Sequence, residues 1–267
     1  MNFLFADSST EKLILGLYKK IENNKINNEI YSISINSGFN HTENLYSAFK
    51  SLISISKLNS FEDIENVILV SGPGSFTGVR IIYSFIKGLF IKSDVKFYEV
   101  PGIICKTISF IEDNSKIKNE DIIIPLIFGK KKRFFGSIIK IEEFFLKIKN
   151  NEQKIDFKNE FNFFDLSLKD IIDNLEKNSI INSRSKFNIY LDNEVLNQAY
   201  YDKDIDINEV KEKFEKLDIN FEIIKFNIDI EKIFNFFANN SDKILYKKLS
   251  EIDPFYLREP DAYEKFL

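Results

Sequence analysis

The spacing of apolar and polar residues changes period along the amino-terminal stretch of the chain. Asn2-Phe3-Leu4-Phe5-Ala6 reads as a strand closed by Asp7-Ser8-Ser9-Thr10. Leu13 to Tyr18 is a second apolar, β-prone run, and Glu22-Asn23-Asn24-Lys25 marks a turn. Ile30 to Ile35 partly alternates, as a half-buried strand does. These runs predict a three-stranded antiparallel meander. From His41 to Ile55, apolar residues fall at Leu45, Ala48, Phe49, Leu52 and Ile55, with Tyr46 and Ile53 beside them. That is helical spacing with a wide apolar face, and Thr42 is the expected N-cap. Val67 to Val70 is short and apolar throughout, which fits a strand covered on both faces. A helix from about Ser75 to Ile91 and a strand from Val95 to Val100 follow.

The resulting order, β-β-β-α-β-α-β, is the layout of the ribonuclease H-like fold. Duplicated, that layout makes the actin-like ATPase (ASKHA) fold. The expectation is therefore an α/β protein of two related βββαβα-type halves, residues 1–102 and 103–267. Gly102 to Glu112 is read as a crossing helix. In the second half, Ile122 to Phe128, Arg133 to Ile141 and Phe144 to Ile148 are read as strands. Asp165 to Leu175 is read as helical, Phe187 to Leu191 and Phe221 to Phe226 as extended, and Ile230 to Phe237 as helical.

Between the Val67–Val70 strand and its helix stands Ser71-Gly72-Pro73-Gly74-Ser75-Phe76-Thr77-Gly78-Val79-Arg80. Two readings of this turn stay open. Gly72 and Gly74 can adopt positive φ, and Ser75 or Thr77 can cap a helix whose free amides attract an anion. Alternatively, the glycines only let two elements press together. The spacing is neither the dinucleotide fingerprint nor the Walker loop. Asp7, Ser8, Ser9 and Thr10 form the companion loop. Asp7 could orient a cation or a water, or it could simply cap its own turn.

The helix after the glycine turn carries apolar residues nearly all round: Phe76, Val79, Ile81, Ile82, Tyr83, Phe85, Ile86, Leu89, Phe90 and Ile91. Thr77, Ser84 and Gly88 make a narrow seam of small residues. An all-round pattern indicates burial on several sides. With the His41–Ile55 helix, it suggests either a helix-on-helix protein interface or two well-buried core helices. The expected interface residues are His41, Leu45, Phe49, Leu52, Phe76, Val79, Arg80, Tyr83 and Ile86.

Composition narrows the chemistry. The chain of 267 residues is 44% hydrophobic, with 28 Phe and no Trp, enough for a large core. Its net charge of -4 argues against gripping nucleic acid alone. One Cys, Cys105, permits no internal disulfide and is expected to be a buried apolar residue. One His, His41, leaves too few ligands for a transition-metal site, and no nucleophile turn lies near it for a triad. No run reaches the length of a membrane span and no leader pattern opens the chain, so the expected address is the cytoplasm. Lys130 to Arg133 is a basic tetrad, a solvated hairpin tip or a nucleic-acid contact within an assembly.

The glycine turn, with Ile86-Lys87-Gly88-Leu89 after it, resembles the signature of the bacterial TsaB (YeaZ-like) family, in the glycoprotease-like (peptidase M22-type) group of actin-like folds. Phe5 to Thr10 is similar to that family's first phosphate-type loop. His41-Thr42-Glu43-Asn44-Leu45 stands where a His opens the first helix. Pro254 to Glu259 is similar to its carboxy-terminal Pro-x-Tyr-Leu-Arg element.

The resemblance implies a non-catalytic scaffold subunit. Its catalytic partner would be a TsaD-type subunit that makes N6-threonylcarbamoyladenosine at position 37 of tRNAs, with a TsaE-type ATPase joining. Pairing would run through the amino-terminal helices. Two copies could pair by the same face when alone, and tRNA would be met only through the complex. No cofactor is implied in the isolated chain, with ATP or ADP expected only where partners meet. The catalytic paralogue holds a metal with a His-x-x-x-His pair; here the pair would be His41 and Leu45, and leucine cannot ligate. The family's acidic loop after a second-half strand is replaced by Gly129-Lys130-Lys131-Lys132-Arg133-Phe134-Phe135-Gly136. Arg258 is expected in a structural salt bridge. A nuclease, a peptidase and a self-contained actin-like kinase are the competing readings. The first lacks an acid after Val70, the second a nucleophile and base, the third a clear second phosphate loop.

Overall fold

Burial along the central strands alternates between two different cores, and that alternation sets the layering. In β1 (Asn2–Asp7), Leu4 and Ala6 face one core while Phe3 and Phe5 face another. In β4 (Asn66–Val70), Val67 and Leu69 side with the first, Ile68 and Val70 with the second. A sheet buried on both faces needs apolar residues at every position, as these strands have. The structure is a computed structural model that describes residues 1–20, 28–36, 38, 40–114, 117–129, 131–149, 153–177, 187–196 and 206–258. The turn expected at 22–25, Lys130 and Glu259 lie outside the described residues.

The first sheet has the order β3-β2-β1-β4-β5, with β2 at Lys12–Lys19, β3 at Glu29–Asn36 and β5 at Lys96–Val100. The meander is antiparallel, and β1, β4 and β5 run parallel. Helices α1 (His41–Ser56) and α2 (Phe76–Leu89) cover one face. Helix α3 (Gly102–Asp113) lies on the other.

The second half repeats this order through broken strands. β6 (Ile122–Ile124) and β7 (Leu126–Phe128) are separated by Pro125, which has no N–H for a ladder. β8 (Arg133–Ser137) and β9 (Ile139–Lys140) are separated at Ile138. One sheet is β10-β8-β7, with β10 at Phe163–Ser167; the other is β12-β11-β6-β9, with β11 at Asn188–Asp192 and β12 at Asn220–Ile224. Joined across the two breaks, the order is β10, β8/β9, β7/β6, β11, β12, matching the first sheet strand for strand. Helices α4 (Ile141–Lys149) and α5 (Phe157–Glu160) are inserted before β10. Helices α6 (Leu168–Lys177) and α7 (Ile207–Glu215) cover the outer face, and α8 (Ile230–Asn240) closes the half.

Helices α3 and α8 lie between the two halves in one shared core. Ile104, Ile108, Phe234 and Phe237 pack there with Phe3 and Ile68 of the first sheet and Ile123 and Tyr190 of the second. Lys106 of α3 ties the layers with a buried ammonium, 2.8 Å from Asp192 Oδ2 and 2.5 Å from the Leu126 carbonyl oxygen.

Three sequence expectations need correction, and one helix was missed. Phe144 to Ile148 is not a strand but part of α4, whose buried Ile141, Phe144 and Ile148 have helical spacing. The segment from Asp165 is extended until Ser167 and helical only from Leu168. Helix α7 was not anticipated, because its polar residues outnumber the buried Ile207 and Phe214. Thr42 is not the N-cap of α1. The helix starts at His41, and Asn40 is the cap without a side-chain bond. Among the described residues, no helix is long and apolar enough to cross a membrane.

Candidate functional site

The carboxyl ends of β1 and β4 bring the Asp7–Thr10 loop against the glycine turn. Parallel pairing of Ala6 with Leu69 fixes the approach. The loops are joined by one backbone and one side-chain hydrogen bond. Ser75 N donates to Ser9 O at 2.6 Å, and the Ser8 hydroxyl donates to Gly78 O at 2.7 Å. A Cβ on Gly74 would stand 2.2 Å from Ser9 O, and one on Gly78 2.0 Å from Ser8 O. Gly72 has φ +105°, and a Cβ there would meet Phe255 O at 2.7 Å. The glycines are therefore required for close packing. Ser75 caps α2 by accepting from Gly78 N at 3.1 Å, and Thr77 does not cap.

Of the expected anion-loop residues, Asp7, Ser8, Ser9 and Gly72 are buried, Thr10, Gly74 and Ser75 are half-buried, and Thr77 is exposed. Asp7, Ser8, Ser9 and Gly72 are thus enclosed where the two loops pack closely on each other. The junction is polar inside. Asp7 Oδ1 accepts from Ser9 N at 2.8 Å, while Asp7 Oδ2, Ser9 Oγ and Ser71 Oγ are buried without a protein partner. Burial pushes the Asp7 carboxyl above its ordinary range, opposed by the Ser9 N–H. Burial, and then the nearby Asp7 charge, raise the Cys105 thiol well above its usual value. Cys105 is fully buried, as expected.

Helices α1 and α2 meet side by side over the sheet. Their buried stripes are Leu45, Ala48, Phe49 and Leu52 on α1, and Val79, Ile82, Tyr83 and Ile86 on α2, all in one core with β1, β2 and β4. This corrects six of the nine expected interface residues: His41, Phe49, Leu52, Val79, Tyr83 and Ile86 are 5% exposed or less. Sheet and neighbouring helix already cover them. Phe76 and Arg80 do lie outside, half-buried and exposed. The outward groove is lined by Thr42, Tyr46, Phe76, Arg80, Ile81 and Phe85 with the small, exposed Thr77 and Ser84, and the largely buried Leu45 reaches it. Tyr46 is 67% exposed. Sequence spacing missed Tyr46, although its place beside the apolar stripe was the available signal. His41 instead braces the first loop. Its Nε2 lies 2.9 Å from the Thr10 carbonyl oxygen, which can only accept, so Nε2 carries the proton. Burial lowers its pKa, partly offset by that hydrogen bond.

The residues after α8 return to this region. Arg258 Nε and Nη2 donate to Asp165 Oδ2 at 2.8 and 2.6 Å, the salt bridge expected of it. Arg133 Nε donates to Asp165 Oδ1 at 3.1 Å, so the last member of the basic tetrad is engaged. Glu99 of β5 was missed by the sequence reading. An acid inside the otherwise apolar run of Phe97, Tyr98 and Val100 was the signal that a partner was needed.

Comparison with known proteins follows the same residues. The family model for TsaD, tRNA N6-adenosine threonylcarbamoyltransferase, matches residues 32–135. That range holds both helices of the groove and the glycine turn. The tRNA threonylcarbamoyladenosine biosynthesis protein TsaB of Buchnera aphidicola is 28% identical over 134 residues, 49% of this chain and 54% of that protein. The matched stretch thus spans about half the length of that curated relative. YeaZ from Pseudomonas aeruginosa superposes with a TM-score of 0.60 at 12% identity, covering 96% of this chain and 99% of that one. A second structure, described as an uncharacterized protein with similarity to peptidase YeaZ from Pseudomonas aeruginosa, gives 0.61 at 11% identity, covering 96% and 99%. The chain is TsaB/YeaZ-like. Its fold is accordingly the actin-like, ribonuclease H-like one. In this TsaB/YeaZ-like chain, no group of three or more His, Cys, Asp or Glu that could hold a metal occurs among the described residues. Leu45 is buried in the apolar core.

Proposed function

We propose that this chain is a non-catalytic scaffold subunit in tRNA N6-threonylcarbamoyladenosine synthesis, and that it docks a TsaD-type catalytic subunit through the α1–α2 groove. The relatives support the process, and the groove supports the mode. Tyr46, Phe76, Ile81 and Phe85 form an apolar surface left outside after the buried stripes are satisfied. Small residues at Thr77 and Ser84 let a partner helix approach closely, and rings around them supply contact area. A match of this chain to the TsaD model over 32–135 means that a TsaD-type partner would carry related helices. Pairing like with like, around a near two-fold axis, then follows naturally, and a homodimer would use the same face in the partner's absence. A TsaE-type ATPase and tRNA would be met in that assembly, and ATP or ADP would be held between partners rather than at the closed Asp7–Ser71 junction.

The test is co-purification and titration with the TsaD-type protein from the same cell. Tyr46→Asp and Ser84→Arg change exposed residues, so both variants should keep the wild-type melting temperature and lose partner binding. Wild-type affinity in both would remove the groove from the proposal. Threonylcarbamoylation of tRNA by this chain with substrates, without any TsaD-type protein, would overturn the scaffold role.

A further inference from the structure

The carboxy-terminal segment is fastened to the groove by one buried carboxylate. Lys247 N donates to Phe97 O at 2.8 Å, and Phe97 N donates to Lys247 O at 3.0 Å, so the segment begins as a short pairing on β5. Two residues along β5, the Glu99 side chain is 2% exposed. Its Oε1 accepts from the Tyr83 hydroxyl at 2.6 Å and from Asp253 N at 2.8 Å, and it pairs with Lys158 Nζ at 2.9 Å. Its Oε2 pairs with Lys247 Nζ at 2.6 Å. Desolvation lowers Lys158 despite the Glu99 charge. For the more exposed Lys247, the same charge outweighs desolvation and raises the ammonium. Glu99 therefore joins α2, through Tyr83, to the segment at two points, Lys247 and Asp253.

From Asp253 the chain crosses the glycine turn, where Phe255 N donates to Ser71 O at 2.7 Å. It then lays Tyr256 against Phe76, ring centroids 4.9 Å apart. The Arg80 guanidinium sits 4.2 Å from the centre of the same Phe76 ring. Arg258 anchors the far end on Asp165. Tyr256 remains 38% exposed; burial raises its phenol, and the charge of the exposed Arg80 and a hydrogen bond with its side chain partly offset this. A guanidinium that rests on a ring and bonds one hydroxyl keeps further N–H donors, and these suit a carboxylate.

We propose that residues 247–258 form a strap that is the third wall of the docking face. Its Tyr256 and the adjacent Arg80 would receive a carboxylate side chain of the TsaD-type partner, and Glu99 is the positioning residue that fastens the strap. This rests on the groove being the docking face. The experiment measures partner affinity and amide hydrogen exchange on the full-length protein. Tyr256→Ala and Arg80→Glu should each weaken binding by about tenfold or more, with unchanged melting temperature, whereas Tyr256→Phe should stay within about threefold. Glu99→Gln places an NH₂ against the Lys247 ammonium. It should speed exchange at 247–258 and weaken binding together. Near wild-type binding by both Tyr256→Ala and Arg80→Glu, in a protein that does bind its partner, would overturn the strap as a wall. Unchanged exchange in Glu99→Gln would overturn the fastening. If Glu99→Gln fails to fold, Tyr83→Phe reads the same fastening through α2. Absence of wild-type binding would instead fell the groove reading itself; the exchange measurement would still decide the fastening.

Discussion

The two faces of α2 are built from similar residues and do different work. Toward the sheet, Gly78, Val79, Ile82, Tyr83 and Ile86 are buried. Away from it, Thr77, Arg80, Ser84 and Gly88 are exposed, with Phe76, Ile81, Phe85 and Leu89 along the margins. Hydropathy alone makes the buried face look like the sticky one. The fold shows that the most apolar stripe is spent on the chain's own core, and that the remaining surface is a seam of small residues between rings. The two glycines mark the contrast. A Cβ at Gly78 would strike the Ser8 carbonyl, while one at Gly88 would meet nothing within 4 Å.

Substitutions along this one helix can break that contrast, and the largest effect is expected at Val79. Val79→Asp puts an unpaired charge into the core and should cost about 4 kcal/mol or more, measured by urea unfolding. A stable, folded variant would mean that the stripe is not buried. Gly78→Ala comes next: its methyl must displace backbone rather than a flexible side chain, so a loss of at least about 2 kcal/mol is expected in the same assay.

Beneath the same buried face, Asp7→Asn should stabilise. Its folded-state pKa is raised, so the wild-type carboxyl favours folding only while protonated. That contribution is full below the ordinary value of 3.8 and is lost as pH rises through the higher folded value. The gain in melting temperature should therefore be seen at pH 7 and vanish toward pH 3. A gain independent of pH would point to packing rather than ionisation. The smallest effect is expected outside. Gly88→Ala fills no space and should stabilise by about 0.5–1 kcal/mol through helix propensity.

The first half was legible because its strands are mainly apolar or alternating runs without a break, and each helix keeps one period over several turns. The second half was less so. Pro125 cuts a run that reads as one strand, Ile138 cuts the next, and α4 begins directly from β9 without a turn residue between them. At the candidate site, sequence located the loops, both helices and the Arg258 salt bridge. It could not decide between stripes of one helix, because both are apolar and the choice depends on which sheet face lies below. Nor could it foresee that Glu99 would gather Tyr83, Lys158 and Lys247, which lie far apart along the chain and meet only once the tail has folded back.

The central position of α3 and α8 has a consequence for anyone dividing this duplicated chain. Each sheet owns an outer pair of helices but only borrows its inner lining, since Phe3, Ile68, Ile123 and Tyr190 all lean on the same two cylinders. A fragment cut after Gly102 would keep a five-stranded wall with its greasy inner side bare and should clump. The repeat is visible in the strand order, yet the object it makes has no seam at which to be halved.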